Sequence, residues 1–206
     1  MNNYTRLNCL RHGKLATPGV FCAPADAPLS QQGWDDLNDA TANGAWDIII
    51  SSPQHRCLKF AEALASQQSC SLLVDDNFKE MDFGLWTGKT REFLWENEPE
   101  KFQQLWQSPD TFQAPEGESM ISFVKRVKSG LDQLLAKHEN QSILLVTHGG
   151  VIRVLLAQAL NITHNSALKL IINHACLSQL HYYSDGECSL FSHLNPVDQN
   201  HEGRDR

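Results

Sequence analysis

None of the apolar runs in these 206 residues is long, so nothing approaches the ~20 residues that a membrane-spanning helix needs. The opening Met1-Asn2-Asn3-Tyr4-Thr5-Arg6 lacks the charged and apolar blocks of a secretory signal, which makes a cytoplasmic location the expectation. A basic stripe is also missing. The formal net charge is −7, whereas bulk binding of nucleic acid needs clustered Lys and Arg to release counterions. The six cysteines (Cys9, Cys22, Cys57, Cys70, Cys176 and Cys188) form no C-x-x-C pair. That argues against zinc and thioredoxin-type chemistry and leaves reduced structural thiols as the expectation. No H-x-x-x-H pair is present to suggest a zinc hydrolase, and there is no internal repeat or low-complexity block. A small anionic substrate survives all these exclusions, because a few local arginines can dominate one pocket whatever the net charge.

What is present alternates strand and helix. Arg6 to Leu10 reads as a buried first strand. Gln31 to Asn43 reads as a helix with Ser30 as N-cap. Trp46 to Ser51 contains Ile48-Ile49-Ile50, a β-branched run suited to a strand covered on both faces. A helix from Pro53 to about Gln68 follows, then a short strand, Ser71 to Val74. Met120 to His138 has apolar residues at helical spacing, Ser142 to Thr147 is again strand-like, and Val151 to Leu160 is an apolar helix. Leu177 to Tyr183 and Cys188 to Leu194 flank Asp185-Gly186, a hairpin signal. This pattern predicts one domain over residues 1–206. Its fold class is α/β: a three-layer α/β/α sandwich with a mostly parallel central sheet, an antiparallel C-terminal hairpin and a small helical cap at about 86–116. A frayed polar tail is expected over 195–206.

Sites in such sheets form beyond the carboxyl ends of the strands. Arg11-His12-Gly13 stands there, as do Ser51-Ser52-Pro53 leading to Arg56, and Thr147-His148-Gly149-Gly150. A neutral imidazole can attack phosphorus near pH 7. A carboxylic acid can protonate the leaving oxygen, and arginine forks match the phosphoryl oxygens. Two histidines, two arginines and one carboxyl group make a phosphoryl site that needs no metal and no cofactor.

The same residues carry a resemblance. Arg11-His12-Gly13 resembles the signature of the histidine phosphatase, or phosphoglycerate mutase-like, superfamily. Asp26 to Ser30 with Gly33, Ser51 to Arg56, Phe78 to Gly88, Gly117-Glu118-Ser119 and Thr147 to Gly150 resemble its further segments, in family order. The resemblance implies that His12 is the nucleophile that becomes phosphohistidine and that Glu80 is the acid and then the base. It implies that Arg11, Arg56 and His148 hold the phosphoryl oxygens, with Gly13 keeping the loop compact near the phosphate. Asp82 and Glu92 are near enough in sequence to compete with Glu80. The loop after Gly13 departs from common members: Lys14-Leu15 and Thr17-Pro18 stand where Glu-Thr and a later Asn are usual. The short Pro18-Gly19 loop with Cys22 is similar to the α-ribazole phosphatase branch, which serves cobalamin lower-ligand assembly.

The remaining features have two readings each. The aromatics of Thr90 to Pro115 either fill the core of the cap or cover the site, with Trp86, Trp95 or Trp106 stacking on a flat base. Ser119 either borders the pocket or caps the next helix. His55 is expected at the surface or rim, and His174 either reaches the pocket or, as the favoured reading, plays a structural role, while His138, His164, His193 and His201 read as surface groups. The expected partner is a small phosphorylated metabolite, with a homodimer as the assembly to test. The function expected is phosphomonoesterase action on α-ribazole 5′-phosphate. Its rivals are a broad-specificity phosphatase, a phosphoglycerate mutase, a protein phosphatase and a non-catalytic phosphate-binding regulator.

Overall fold

In the computed structural model, residues 4–196 are described. Six strands form one sheet: β1 (Tyr4–Arg11), β2 (Ile48–Ser51), β3 (Ser71–Val74), β4 (Ser142–Thr147), β5 (Leu177–Tyr183) and β6 (Cys188–Leu194). Their order is β3-β2-β4-β1-β5-β6. The first four pair in parallel, β5 pairs antiparallel with β1, and β6 pairs antiparallel with β5. The α/β class and the antiparallel C-terminal pair are as the sequence predicts.

Alternation of side chains builds the layers. Leu7, Cys9, Ile48, Ile50, Ile143 and Leu145 face one core, closed by α5 (Met120–Lys137) and α6 (Gly149–Ala159). Leu10, Ile49, Leu144 and Val146 face the other, closed by α1 (Gln31–Thr41) and α2 (His55–Gln68). Burial of both faces explains why β2 is an unbroken β-branched run. Ser30 caps α1 by accepting from the Gly33 amide. α6 begins at Gly149, two residues before the apolar run, with His148 in the N-cap position.

Between β3 and α5 lie two short helices, α3 (Arg91–Asn97) and α4 (Pro99–Gln107), with 3-10 turns at Gly84–Trp86 and Pro109–Thr111. This insert has no separate core. Trp86, Phe102 and Phe112 join the cluster that also holds Leu7, Ile143 and Val127. A four-residue helix, α7 (His164–Ala167), was not expected; Thr163 caps it by accepting from the Ser166 amide.

At the sequence's far end, Asn195 is anchored rather than frayed. Its Oδ1 accepts from the Asn173 amide at 2.8 Å and its Nδ2 donates to the Ile171 carbonyl at 3.0 Å. The rest of the expected tail, 197–206, with His201, lies outside the described residues. His193 is not a free surface group either: its Nδ1 lies 2.8 Å from Ser178 Oγ and its Nε2 lies 2.8 Å from the Ile171 carbonyl.

Register sets up the site. Arg11 pairs with Thr147, and Ser51 with Val146. The next residues, His12, His148 and Ser52, therefore emerge together at the carboxyl edge of three neighbouring strands. Leu177, the first residue of antiparallel β5, pairs with Leu10, which brings the segment before it, with His174, to the same edge.

Candidate active site

His12 is clamped by its backbone. Its amide donates to the Thr147 carbonyl at 2.9 Å, and its carbonyl accepts from the Ala175 amide at 3.2 Å. Nδ1 lies 2.9 Å from the Gly13 carbonyl. A carbonyl only accepts, so Nδ1 carries the proton and the Nε2 lone pair is free. The side chain is buried, and burial pushes its pKa well below the usual range, helped by the positive charges of Arg11 and Arg56. A neutral imidazole with a free Nε2 is the form that can attack an electrophile.

Gly13 serves this arrangement from behind. A Cβ there would overlap the Gly33 carbonyl at the start of α1, and Gly13 is not among the cleft-lining residues. Its contact is with His12 and α1 rather than with the phosphate position expected from the sequence.

Arginine side chains converge on His12. Arg11 Nη1 donates to the Ile172 carbonyl at 2.6 Å, and Nη2 lies 3.2 Å from His174 Nε2. Since guanidinium only donates, that Nε2 accepts and the His174 ring is neutral. Burial lowers the Arg11 pKa to about 10, which leaves it charged at neutral pH. Arg56, also buried, donates from Nη1 to the Pro24 carbonyl at 3.0 Å and from Nη2 to Gln54 Oε1 at 2.9 Å. Both arginines leave Nε buried without a partner. Unsatisfied buried donors are costly, and together they mark a place for an anion.

His148 sits beneath the cleft, fully buried, its ring centre 5.3 Å from that of His12. Its Nε2 lies 2.8 Å from Ser52 Oγ and 3.5 Å from Cys57 Sγ. Burial and the nearby arginines depress its pKa as well. Burial also pushes the Cys57 thiol up to about 12, so that cysteine is a neutral packing partner.

Glu80 faces this group from the loop after β3. Oε2 accepts from the Gly150 amide at 3.1 Å, and Oε1 accepts from the Met81 amide at 3.1 Å. A Cβ on Gly150 would overlap Oε1, which explains the glycine. Asp82 is exposed and turned into its own loop, accepting from Gly84 at 2.9 Å. Glu92 lies at the exposed rim beside Thr90, the N-cap of α3. The geometry thus favours Glu80 over both competitors.

The substrate-pocket candidates separate. Trp106 lines the cleft together with Phe21 and Phe83. Trp86 does not: it is 2% exposed, locked between Phe102 and Phe112 in the core. Trp95 is 58% exposed and leans edge-on against Phe102, away from the cleft wall. Ser119 caps α5, accepting from the Ser122 amide at 3.1 Å.

Some residues join the site beyond the expected set. His174, whose less favoured reading was that it reaches the pocket, lines the cleft with its ring centre 5.3 Å from that of His12. Gln54 ties the site together, since its Oε1 also accepts from the Glu80 amide at 3.3 Å. Ser52 and Arg153 complete the set. Ser52 belongs to the Ser51-Ser52-Pro53 turn that the sequence already places beyond a strand end. Among the described residues, no cluster of His, Cys, Asp or Glu is arranged to hold a metal, and no helix is long and apolar enough to cross a membrane.

Comparison with known proteins fits this geometry. The profile of the histidine phosphatase superfamily (branch 1) matches residues 7–193. A bifunctional protein of Mycobacterium tuberculosis is 30% identical over 90% of this chain and 52% of its own length. The chain thus spans about half the length of that curated relative. A Hydrogenobacter thermophilus protein, provisionally named phosphoserine phosphatase 2, is 32% identical over 93% of this chain and 96% of its own. The fold is shared with the α-ribazole phosphatase of Shigella flexneri, with a TM-score of 0.78 at 23% identity over 90% of this chain and 94% of that one. A profile match over nearly the whole described chain, on top of this site, shows that the protein belongs to the histidine phosphatase superfamily.

Proposed function

We propose that this chain is a metal-independent phosphomonoesterase acting through a phosphohistidine on His12. The observation that carries the reading is the His12 tautomer: Nδ1 is tied to Gly13, leaving Nε2 free beside the unpartnered Nε–H donors of Arg11 and Arg56. In the first step Nε2 bonds to phosphorus and the P–O ester bond breaks, the leaving oxygen taking the proton of Glu80. In the second, Glu80 takes a proton from water, whose oxygen attacks phosphorus. The P–N bond breaks, inorganic phosphate leaves, and His12 returns to its neutral form.

The test is His12→Ala. It should keep the circular dichroism spectrum and lose phosphate release by at least ~10⁴-fold, as removal of a covalent nucleophile does. The wild type should trap an acid-labile phosphoryl group that the variant lacks. Full activity in the variant would refute the mechanism, and loss of turnover on adding a chelator would refute metal independence.

The finer reading, α-ribazole 5′-phosphate as substrate, draws support from the loop resemblance and from Phe21 and Trp106 on the cleft wall, where a flat base could stack. A phosphate-release panel with 3-phosphoglycerate, nucleoside monophosphates and a phosphopeptide tests it. Flat rates across the panel would favour broad specificity instead.

A further inference from the structure

The end of the last strand bears on the active site through an intermediary. His193, near the close of β6, and Asn195, just past it, both reach one irregular segment, Ile171 to His174. His193 Nε2 donates to the Ile171 carbonyl at 2.8 Å, and Asn195 Nδ2 donates to the same oxygen at 3.0 Å. Asn195 Oδ1 accepts from the Asn173 amide at 2.8 Å. A carbonyl only accepts, so His193 Nε2 carries a proton. On the other side of the ring, Nδ1 lies 2.8 Å from the Oγ of fully buried Ser178.

The segment needs this outside support. It lies between α7 and β5 with no regular structure of its own. Ile171 and Asn173 are exposed, so packing secures the stretch chiefly at buried Ile172. Among the described residues, its one bond between peptide groups runs from the Cys176 amide to the Asn173 carbonyl, at 3.0 Å. That turn places Ala175 at a φ of 57°, a left-handed conformation that an L side chain adopts only when its surroundings impose it.

What the segment carries is the grip on Arg11. The Ile172 carbonyl accepts from Nη1 at 2.6 Å, and His174 Nε2 accepts from Nη2 at 3.2 Å. The next residue, Ala175, donates its amide to the His12 carbonyl at 3.2 Å. A guanidinium is planar, so fixing both Nη atoms also aims Nε, the atom left without a partner.

We propose that His193 and Asn195 are positioning residues: from the end of β6 they fix the segment Ile171 to His174, and through it they aim the Arg11 guanidinium at the phosphoryl group. The proposal rests on the phosphomonoesterase reading and deepens it. Neither residue takes part in the chemistry. Each bond acts on a peptide group, and the peptide groups act on the arginine.

The experiment reads kcat/KM for p-nitrophenyl phosphate and, independently of turnover, the dissociation constant of inorganic phosphate by calorimetry. His193→Ala and Asn195→Ala should each lower kcat/KM about tenfold, and the pair together ~10²-fold, the loss that a misplacement of about 1 Å can cause. Phosphate affinity should fall in parallel. Asn195→Asp keeps the acceptor for the Asn173 amide but sets an oxygen against the Ile171 carbonyl. It should lose as much as Asn195→Ala, and it decides the matter if an alanine variant fails to fold. Arg11→Met supplies a control that a merely structural role would not move. On that background Asn195→Ala should change phosphate affinity by less than about twofold, because its effect runs through the guanidinium. Unchanged kcat/KM and phosphate affinity in the folded variants, or the same extra loss with and without Arg11, overturns the proposal. Trapping an acid-labile phosphoryl group in the wild type separates the two readings. If it forms and the variants match the wild type, only the positioning role fails. If none forms, the phosphatase reading fails, and the phosphate affinities still decide the positioning role.

Discussion

The floor of the cleft and its wall are built by different physics. The floor is Arg11, His12, Arg56 and His148, set by the register of three adjacent strands and tied down by hydrogen bonds to backbone. The wall is Phe21, Phe83 and Trp106, brought in by a loop and the insert. It is held by edge-on ring contacts, with Phe21 centred 5.2 Å from both Phe83 and Phe102. Directional bonds permit one geometry, whereas ring contacts tolerate exchange of one aromatic for another. The floor therefore permits one arrangement for the proposed chemistry, and the wall is where a change of substrate would disturb it least.

The comparison breaks first at Trp86, the ring that joins the wall to the core. Trp86→Ala should cost about 3–5 kcal/mol, read as a lower denaturation midpoint, and should loosen the wall. A change under ~1 kcal/mol would show that the insert is independent of the core.

A smaller effect is expected at the floor's edge. In Gly150→Ala the new methyl displaces the Glu80 carboxylate. Alkyl phosphate turnover should fall by ~10²–10³, within the range for general acid catalysis, and p-nitrophenyl phosphate turnover by much less. Equal losses on both would mean that Glu80 is not the acid.

The floor should also respond to pH where the wall does not. His12 and His148 have folded pKa values far below the unfolded 6.5, so below that pH the unfolded chain binds more protons. Stability is complete above about pH 6.5 and should fall as pH drops, by up to ~1.4 kcal/mol per pH unit for each such histidine. For His174, lowered to about 3, the loss runs from about pH 6.5 down to that pH. Urea titrations at pH 7, 6 and 5 read the slope, and His12→Gln should reduce it. The smallest effect belongs to Trp95, exposed and away from the cleft. Trp95→Ala should change stability by less than ~0.5 kcal/mol and leave kcat/KM within twofold.

Much of this was readable before any coordinates. Strands β3, β4, β5 and β6 begin and end where the apolar runs do, because both ends of each run meet turn chemistry. The floor was legible for a related reason: a residue just past a strand end in a parallel sheet has one place to go. The wall was not. Trp86 lies in a 3-10 turn, where a 3.6-residue period carries no information, and α3 and α4 are too short for one face to stand out. His174 belongs to an irregular segment that reaches Arg11 only through the antiparallel pairing of β5.

The central place of β1 has a temporal consequence. Its neighbours are β4 and β5, and the Asn8 side chain donates to the Ile143 carbonyl, 135 residues away. Closing so long a loop is slow, and the contacts that reward it form only afterwards. On a ribosome His12 is made long before its clamp, which comes from Thr147 and Ala175 only after more than 150 further residues have followed. The histidine proposed as nucleophile is thus made well before its surroundings are finished, and a chain that stops between the two carries the imidazole without its clamp.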